Sequence, residues 1–535
     1  AGAAGLSVAG LSALTACGGG TASNKGGAVK SETFKLPDYK EASVAKADLT
    51  FAGVDPTYLK YPKDLVKSVA SAPGDGKPIT FFGATWTTPM PPLGDNKYWQ
   101  ELNRRLGSQL KMNIVDDNVE NGHLTKFSAM VASGDIPELV WFPPNGGAIA
   151  KLPELLKAKF YDLAPYLSGS AVLEYPNLAN LAESAWRTSV FDGRLVGTTL
   201  PYGLYGQVLV VNRDYWEPVG GAEFDSAQDF LDKGKELLDT KRKKYVLEPA
   251  YVNLLNRFAE WLGAPNGWRA ENDRLTHMYE SDEYAEALEF AVKVFKAGLF
   301  WPDANITTAQ QKVEGGSLGA YVNSYPGYRS QLSTVKYPVD IVVPFAFRQG
   351  VKSRMNLGNS SLGWCSINKD VPKARVKTLL RVMDYLNAPM GTTERKFLEF
   401  GLDGTHYKSN KDGDPILTSA GEAQVLPTIQ PVHGIGIGPE YNYAPGYPQR
   451  AERAFRRQQK LSTMLAGNAA SGYYSDTNSA KGGQLTAKMQ DTLKDIITGR
   501  KKLSQFKSAV QKWQNDGGNS MREEYQDARA RIKLT

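Results

Sequence analysis

Cysteine and histidine are nearly absent. Two cysteines, Cys17 and Cys365, in 535 residues exclude a disulfide-built scaffold and leave too few thiols for a zinc ribbon or an iron–sulfur cluster. The four histidines, His123, His277, His406 and His433, include no pair spaced four apart, so the metal-binding helix of a zinc protease is not encoded. No P-loop occurs, so the nucleotide-phosphate cradle of an ATPase is not encoded. Lys and Arg exceed Asp and Glu by only 63 to 56, and apart from Lys241-Arg242-Lys243-Lys244 the cations are dispersed, which disfavours nucleic acid as a partner. What is abundant is apolar: 41% hydrophobic residues with ten Trp, 26 Tyr and 20 Phe exclude a disordered chain, and the length calls for two or three lobes.

Ala1 to Ala16 carry no charge and match a signal-peptide core in length, too short to span a bilayer. The run ends in Leu14-Thr15-Ala16-Cys17-Gly18, which resembles a lipobox, the recognition sequence of bacterial lipoproteins. That resemblance implies lipidation at Cys17 and a protein held at the extracellular face of the cell membrane, since two acyl chains suffice for stable anchoring. Residues 18–46, rich in Gly, Ala, Ser, Thr and Lys, read as a flexible tether. Cys365, inside the strand-like Leu362-Gly363-Trp364-Cys365-Ser366-Ile367, is expected to be a buried small hydrophobe.

From Lys77 the pattern alternates. Ile79-Thr80-Phe81-Phe82 is strand-like, Trp99, Leu102, Leu106 and Leu110 have helical spacing, and Met112-Asn113-Ile114-Val115 is strand-like again. A second helix stops at Ser133-Gly134-Asp135 before Pro137, and the strand Glu138-Leu139-Val140-Trp141-Phe142 follows. Such alternation predicts an α/β fold with mainly parallel sheets flanked by helices, with ligands beyond the carboxyl ends of the strands, where Trp86 and Trp141 fall. Tyr284, Leu288, Ala291, Val292, Phe295 and Leu299 mark a later amphipathic helix, and two more end the chain.

Several motifs in order resemble the family 1 extracellular solute-binding proteins of ABC importers, in particular their large Gram-positive lipoprotein branch. They are Ala132-Ser133-Gly134-Asp135-Ile136-Pro137, Asp192-Gly193-Arg194-Leu195-Val196-Gly197, Val210-Val211-Asn212-Arg213-Asp214, Ala297-Gly298-Leu299 and Gly401-Leu402-Asp403-Gly404. The resemblance implies two lobes joined by crossing strands that close like a jaw, expected near 201–208, near 357–367 and after Gly401. It implies a leader remnant with its lipobox at 1–17, a tether and extension at 18–76, lobe 1 at 77–201 and 361–415, and lobe 2 at 202–360 and 416–535. It further implies a monomer that hands a small-molecule ligand, an oligosaccharide, to permease subunits, without catalysis, cofactor or metal. One departure is notable: where the large branch often carries a calcium loop, this chain reads Asp239-Thr240-Lys241-Arg242-Lys243-Lys244-Tyr245, with cations in place of oxygen donors, so no calcium is expected there.

Sugars present flat C–H faces and a hydroxyl rim, so a sugar site wants aromatic plates and short polar groups. Candidates at loops and strand ends are Trp86, Trp141, Phe142, Asn145, Tyr202, Tyr205, Tyr251, Asn323, Tyr325 and Trp364. The resemblance favours Phe142, Asn145, Tyr205 and Tyr325. Trp261 reads as core and Trp268 as a surface hairpin residue. Gly315-Gly316-Ser317-Leu318-Gly319 has the spacing of a nucleophile elbow but lies between a helix and a strand, the reverse of the required order. Gly434-Ile435-Gly436-Ile437-Gly438-Pro439 reads as a flexible loop near the cleft, and Asp412-Gly413-Asp414 as a solvated turn. Two other functions fit the composition: a secreted glycoside hydrolase or polysaccharide lyase using paired carboxylates, and a sensor or adhesin lobe that binds glycan.

Overall fold

The computed structural model describes residues 35–531 apart from 118–121, 145–148, 150, 192, 273, 304, 305 and 307. Cys17, the lipobox and Asn145 lie outside the described residues. Nine strands build the two main sheets: β1 (Ile79–Thr85), β2 (Leu110–Asp116), β3 (Leu139–Phe142), β4 (Thr198–Pro201), β5 (Gln207–Asn212), β6 (Tyr245–Leu247), β7 (Leu318–Ser324), β8 (Val339–Ile341) and β9 (Ser361–Ile367).

The first sheet has the order β2-β1-β3-β9-β4, with β1 parallel to β2 and β3, and β9 antiparallel to both its neighbours. The helix Lys97–Leu106 connects β1 to β2 as the hydrophobic spacing predicts. Asn96 caps its start by accepting from Trp99 N, and Gly107 ends it at φ 67°. Successive strand residues point to opposite faces, so this sheet is buried on both sides. Phe81, Trp141 and Cys365 face helix Lys373–Leu386 and helix Ser419–Val432, while Phe82, Phe142 and Trp364 face helix Gly122–Ser133 and helix Leu152–Lys159. Burial pushes the Cys365 thiol up, which suits packing rather than reactivity. The second sheet, β6-β7-β5-β8, mixes one parallel and two antiparallel pairings. Its β5 residues Leu209 and Val211 join one core, and Val208 and Val210 another.

Four expectations change. The extension from Lys35 onward is not a free tether: Lys40 N donates to Ala179 O at 2.8 Å, Val66 N to Gly391 O at 3.1 Å and Tyr58 N to Asn442 O at 2.9 Å, and Tyr58 and Tyr61 bury their rings against Phe400, Tyr407 and Tyr443. Low apolar periodicity gave no sign of this, because a strap packs single side chains rather than a helical or alternating face. Asp414 is buried, accepting from Tyr61 N at 2.9 Å and from the Tyr443 hydroxyl at 2.8 Å, so its turn is a packed hub for the same strap. Ile435 and Ile437 of the glycine-rich loop lie in the first core, so that loop is packed. Trp268 does stand on a hairpin, Trp268–Glu271 paired with Arg274–His277, but Trp513 and Tyr525 from the C-terminal helices cover it. Trp261 is core, and Gly315-Gly316 forms the helix-to-strand turn the order required.

One buried acid carries a testable consequence. Asp384 accepts from Asn177 N at 2.8 Å and Leu178 N at 3.0 Å, yet burial outweighs these donors and pushes its carboxyl up to about 7. The folded state then holds a proton that the unfolded chain releases near pH 4, so this stabilising contribution is present below about pH 4 and lost as pH rises through about 7. Asp384→Asn keeps an acceptor but no charge. Its melting temperature relative to the parent is expected to rise steadily from pH 4 to pH 8 by circular dichroism; a flat difference would show that the donors dominate.

Candidate functional site

Two chain segments cross between the sheets side by side. One leads from β4 to β5 and the other leads into β9, and they pair through Tyr202 N to Ser360 O at 3.3 Å, Gly358 N to Leu204 O at 3.0 Å and Gly206 N to Asn356 O at 2.9 Å. The approach is close enough that a Cβ on Gly358 would stand 2.8 Å from Tyr205 O, so glycine is required there. A third passage runs from Ile437, in the first core, to Ala444, in the core of the second sheet.

At the carboxyl ends of β1 and β2 stands Trp86, 38% exposed. Its indole is fixed rather than free. Nε1 donates to Asp117 Oδ2 at 2.9 Å, the ring meets Trp141 edge-on at 5.5 Å, and the backbone N donates to Gln430 Oε1 at 3.3 Å. Gln430 also accepts from Thr85 Oγ1 at 2.5 Å, and Asp117 N donates to Thr85 O at 2.9 Å. Beneath, His123 Nε2 lies 3.2 Å from Trp141 O, and burial lowers the His123 pKa. A broad aromatic face is thus held rigid with solvent on one side, at the location where α/β sheets bind ligands.

Across the crossing segments, the carboxyl ends of β6 and β7 present Glu248, Asn323 and Ser324, all half-buried. Glu248 accepts from Val322 N, and burial pushes its carboxyl up to about 7. Helix Tyr251–Leu262 begins here and carries a polar stripe whose burial deepens along it: Asn253 exposed, Asn256 half-buried, then Arg257 and Glu260 buried. Arg257 Nη1 donates to Gln207 O at 2.6 Å and pairs with Glu260, which accepts from Asn356 N. Burial raises the Glu260 carboxyl to about 7 against the pull of Arg257. One ion pair therefore ties both crossing segments to this helix. A second link joins distant parts: Ser479 Oγ, which follows the second sheet's last crossing, donates to Ile149 O at 2.8 Å.

Of the sequence-derived candidates, Trp86, Tyr202 and Asn323 keep accessible surface beside these strand ends. Six do not. Phe142 stacks on Trp364 at 5.3 Å and 7°, Tyr205 packs on Tyr325 at 4.8 Å, and Tyr251 lies between Phe295 and Phe300. Trp141 gives its indole N–H to Leu362 O at 2.9 Å. Phe142, Trp364, Tyr205, Tyr325, Tyr251 and Trp141 are therefore core and hinge packing, since a ring enclosed on all sides has no face to offer a ligand. From sequence, Asp116-Asp117-Asn118 reads only as a solvated turn, and Gln430, Glu248 and the Asn253 stripe are not signalled at all. Asp117 follows directly on a predicted strand end and could have been found that way; Gln430 sits in a helix more than 300 residues away, and nothing local signals it.

The residues 109–394 match the family model described as bacterial extracellular solute-binding protein. Among curated proteins, the polygalacturonan/rhamnogalacturonan-binding protein YtcQ of Bacillus subtilis (strain 168) is 22% identical over 80% of this chain and 87% of its own. Lipoprotein LipO of the same strain is 23% identical over 81% of this chain and 89% of its own. Among solved structures, the N-glycan transport solute binding protein NgtS of Streptococcus pneumoniae superposes with a TM-score of 0.60 at 14% identity, over 84% of this chain and 98% of that one, which shows the shared two-lobed fold. With over half its length matched and a two-lobed α/β architecture in common, this chain belongs to the bacterial extracellular solute-binding proteins, which bind their solutes without chemically converting them.

Proposed function

We propose that the protein captures an oligosaccharide between its two lobes and delivers it to an ABC permease, as a monomer anchored through Cys17 at the outer face of the cell membrane. The observation that carries the ligand class is Trp86, a large aromatic plate left 38% exposed yet held by Asp117, Trp141 and Gln430 at the carboxyl ends of parallel strands. Stacking against a sugar's C–H face needs such a plate, and its fixed rotamer lowers the entropy cost of binding. Tyr202 and Asn323 complete the accessible wall, and Asn145, which lies outside the described residues, is kept as a contact on the ground of the family resemblance alone. The relatives support the class: one is a polygalacturonan/rhamnogalacturonan-binding protein and a structural neighbour is an N-glycan transport solute binding protein. The lipid anchor rests on Leu14-Thr15-Ala16-Cys17 and on the lipoprotein among the relatives.

Lobe 1 then comprises 77–201 and 361–437, and lobe 2 comprises 202–360 and 445–531. The return to lobe 2 falls after Ile437 rather than at 416, because Val425, Ile429, Val432 and Ile435 share the core of β1 and β3. A thermal-shift panel of cellotetraose, xylotetraose, mannotetraose, galactotetraose, tetragalacturonate and its methyl ester tests the reading, since a ligand of the native state raises its melting temperature. At least one saccharide is expected to raise it by several degrees. If peptides do so and no glycan does, the ligand class is wrong.

A further inference from the structure

Beside the hinge, lobe 2 encloses a cavity of about 160 Å³ between helix Tyr251–Leu262, the loop that follows it and the second crossing segment. Its wall is mixed: Ala259, Ala264, Pro265 and Met278 supply apolar surface, and Asn256, Arg257, Glu260, Asn266, Tyr284 and Asn356 the polar groups. Much of this polarity is already satisfied. Asn266 Nδ2 donates to Leu357 O at 2.9 Å and Ala466 O at 3.0 Å, and the Tyr284 hydroxyl donates to Asn256 Oδ1 at 2.9 Å. A remainder is not: among the described residues Arg257, 6% exposed, finds no acceptor for its Nε–H, and the buried Oδ1 of Asn356 finds no donor. Buried groups left unpaired are costly, and native structures rarely keep them without a reason.

The void has room for about five waters at about 30 Å³ each, comparable to one sugar ring. The helix that lines it begins at the carboxyl ends of β6 and β7, and the stripe from exposed Asn253 through Asn256 to Arg257 and Glu260 runs along that helix toward the cavity. Its charges cancel: the guanidinium of Arg257 is paired with Glu260 and bonded to Gln207 O, so no free cation lines the wall for a carboxylate. Interleaved single donors and acceptors without net charge match neighbouring hydroxyl groups, each of which donates and accepts.

We propose that this cavity is a subsite of the ligand cleft that takes one uncharged pyranose through its hydroxyls, with Asn256, Arg257 and Asn356 as the recognising groups. The inference rests on the saccharide reading above and adds that the protein selects neutral over uronate sugars. In this it parts from its polygalacturonan/rhamnogalacturonan-binding relative.

The test is isothermal titration at pH 8, where Glu260 is ionised against Arg257, using tetragalacturonate, its methyl ester and the neutral tetrasaccharides of the panel. Asn356→Leu puts a larger apolar side chain into the void and removes the unpaired acceptor, so it is expected to weaken the best neutral saccharide about tenfold or more while leaving the melting temperature unchanged or higher. Should that variant not fold, Asn256→Ala, whose side chain accepts from the Tyr284 hydroxyl, is expected to weaken binding in the same direction. The methyl ester is expected to bind more tightly than the free acid. Parent-like affinity in the folded variants, or tighter binding of tetragalacturonate than of its ester, overturns the subsite even if Trp86→Ala abolishes binding. Failure of the parent to bind any saccharide overturns the underlying reading, and the subsite with it.

Discussion

Replacing Trp86 with Ala is expected to weaken saccharide binding about thirtyfold, a loss of about 2 kcal/mol typical of a central aromatic anchor. The fold is expected to survive. The side chain is more than a third exposed, and its removal takes away one edge contact with Trp141 and one hydrogen bond to Asp117 rather than a core position. Trp86→Phe keeps a plate but loses the indole N–H, so its ring is no longer fixed by Asp117, and an intermediate affinity is expected. Titration calorimetry with matched circular dichroism melts separates the two effects. Parent-like affinity in Trp86→Ala would remove this residue from the ligand wall and leave Tyr202 and Asn323 to carry it.

The second large effect concerns stability and lies far from the cleft. Tyr61, in the strap that the sequence read as part of a tether and extension, is buried with its ring edge-on to Phe400 at 5.6 Å and to Tyr443 at 5.4 Å. The ammonium of Lys396 lies 5.4 Å from its centroid. Tyr61→Ala is expected to cost about 3–5 kcal/mol, the range for deleting a buried aromatic ring, which lowers the melting temperature of a cooperative unit of this size by about 3–10 °C. Because the Tyr61 hydroxyl is buried without a hydrogen-bond partner among the described residues, Tyr61→Phe is expected to be neutral or slightly stabilising. If Tyr61→Ala melted like the parent, the segment would be the loose extension its composition implied.

The strap also touches the hinge, which gives it a mechanical position as well as a packing one. Asp55 accepts from Gln458 Nε2 at 2.6 Å and lies 3.8 Å from Arg329, which pairs with Glu440 on the third passage between lobes. The Tyr205 hydroxyl reaches Gly53 O and Gln458 O, both at 3.3 Å. Tyr205 was read as a ligand-facing ring from its place in the chain. In the folded protein that same place, midway along a crossing segment, turns its ring toward Tyr325 and the strap.

The sequence by itself determined the strands and helices of the first βαβ unit and the family, because each depends on short-range periodicity or on motifs within a few residues. It also placed Trp86, since a residue just past a parallel strand has its location fixed by the strand. Only the tertiary structure decided which aromatics are walls and which are core. Burial is a property of what comes from elsewhere in the chain: Phe142 meets Trp364 across β3 and β9, Tyr61 meets Tyr443, and Trp86 is steadied by Gln430. An aromatic ring at a strand end reads the same in sequence whether a distant helix covers it or leaves it open to water, and that covering separates a packing residue from a binding one.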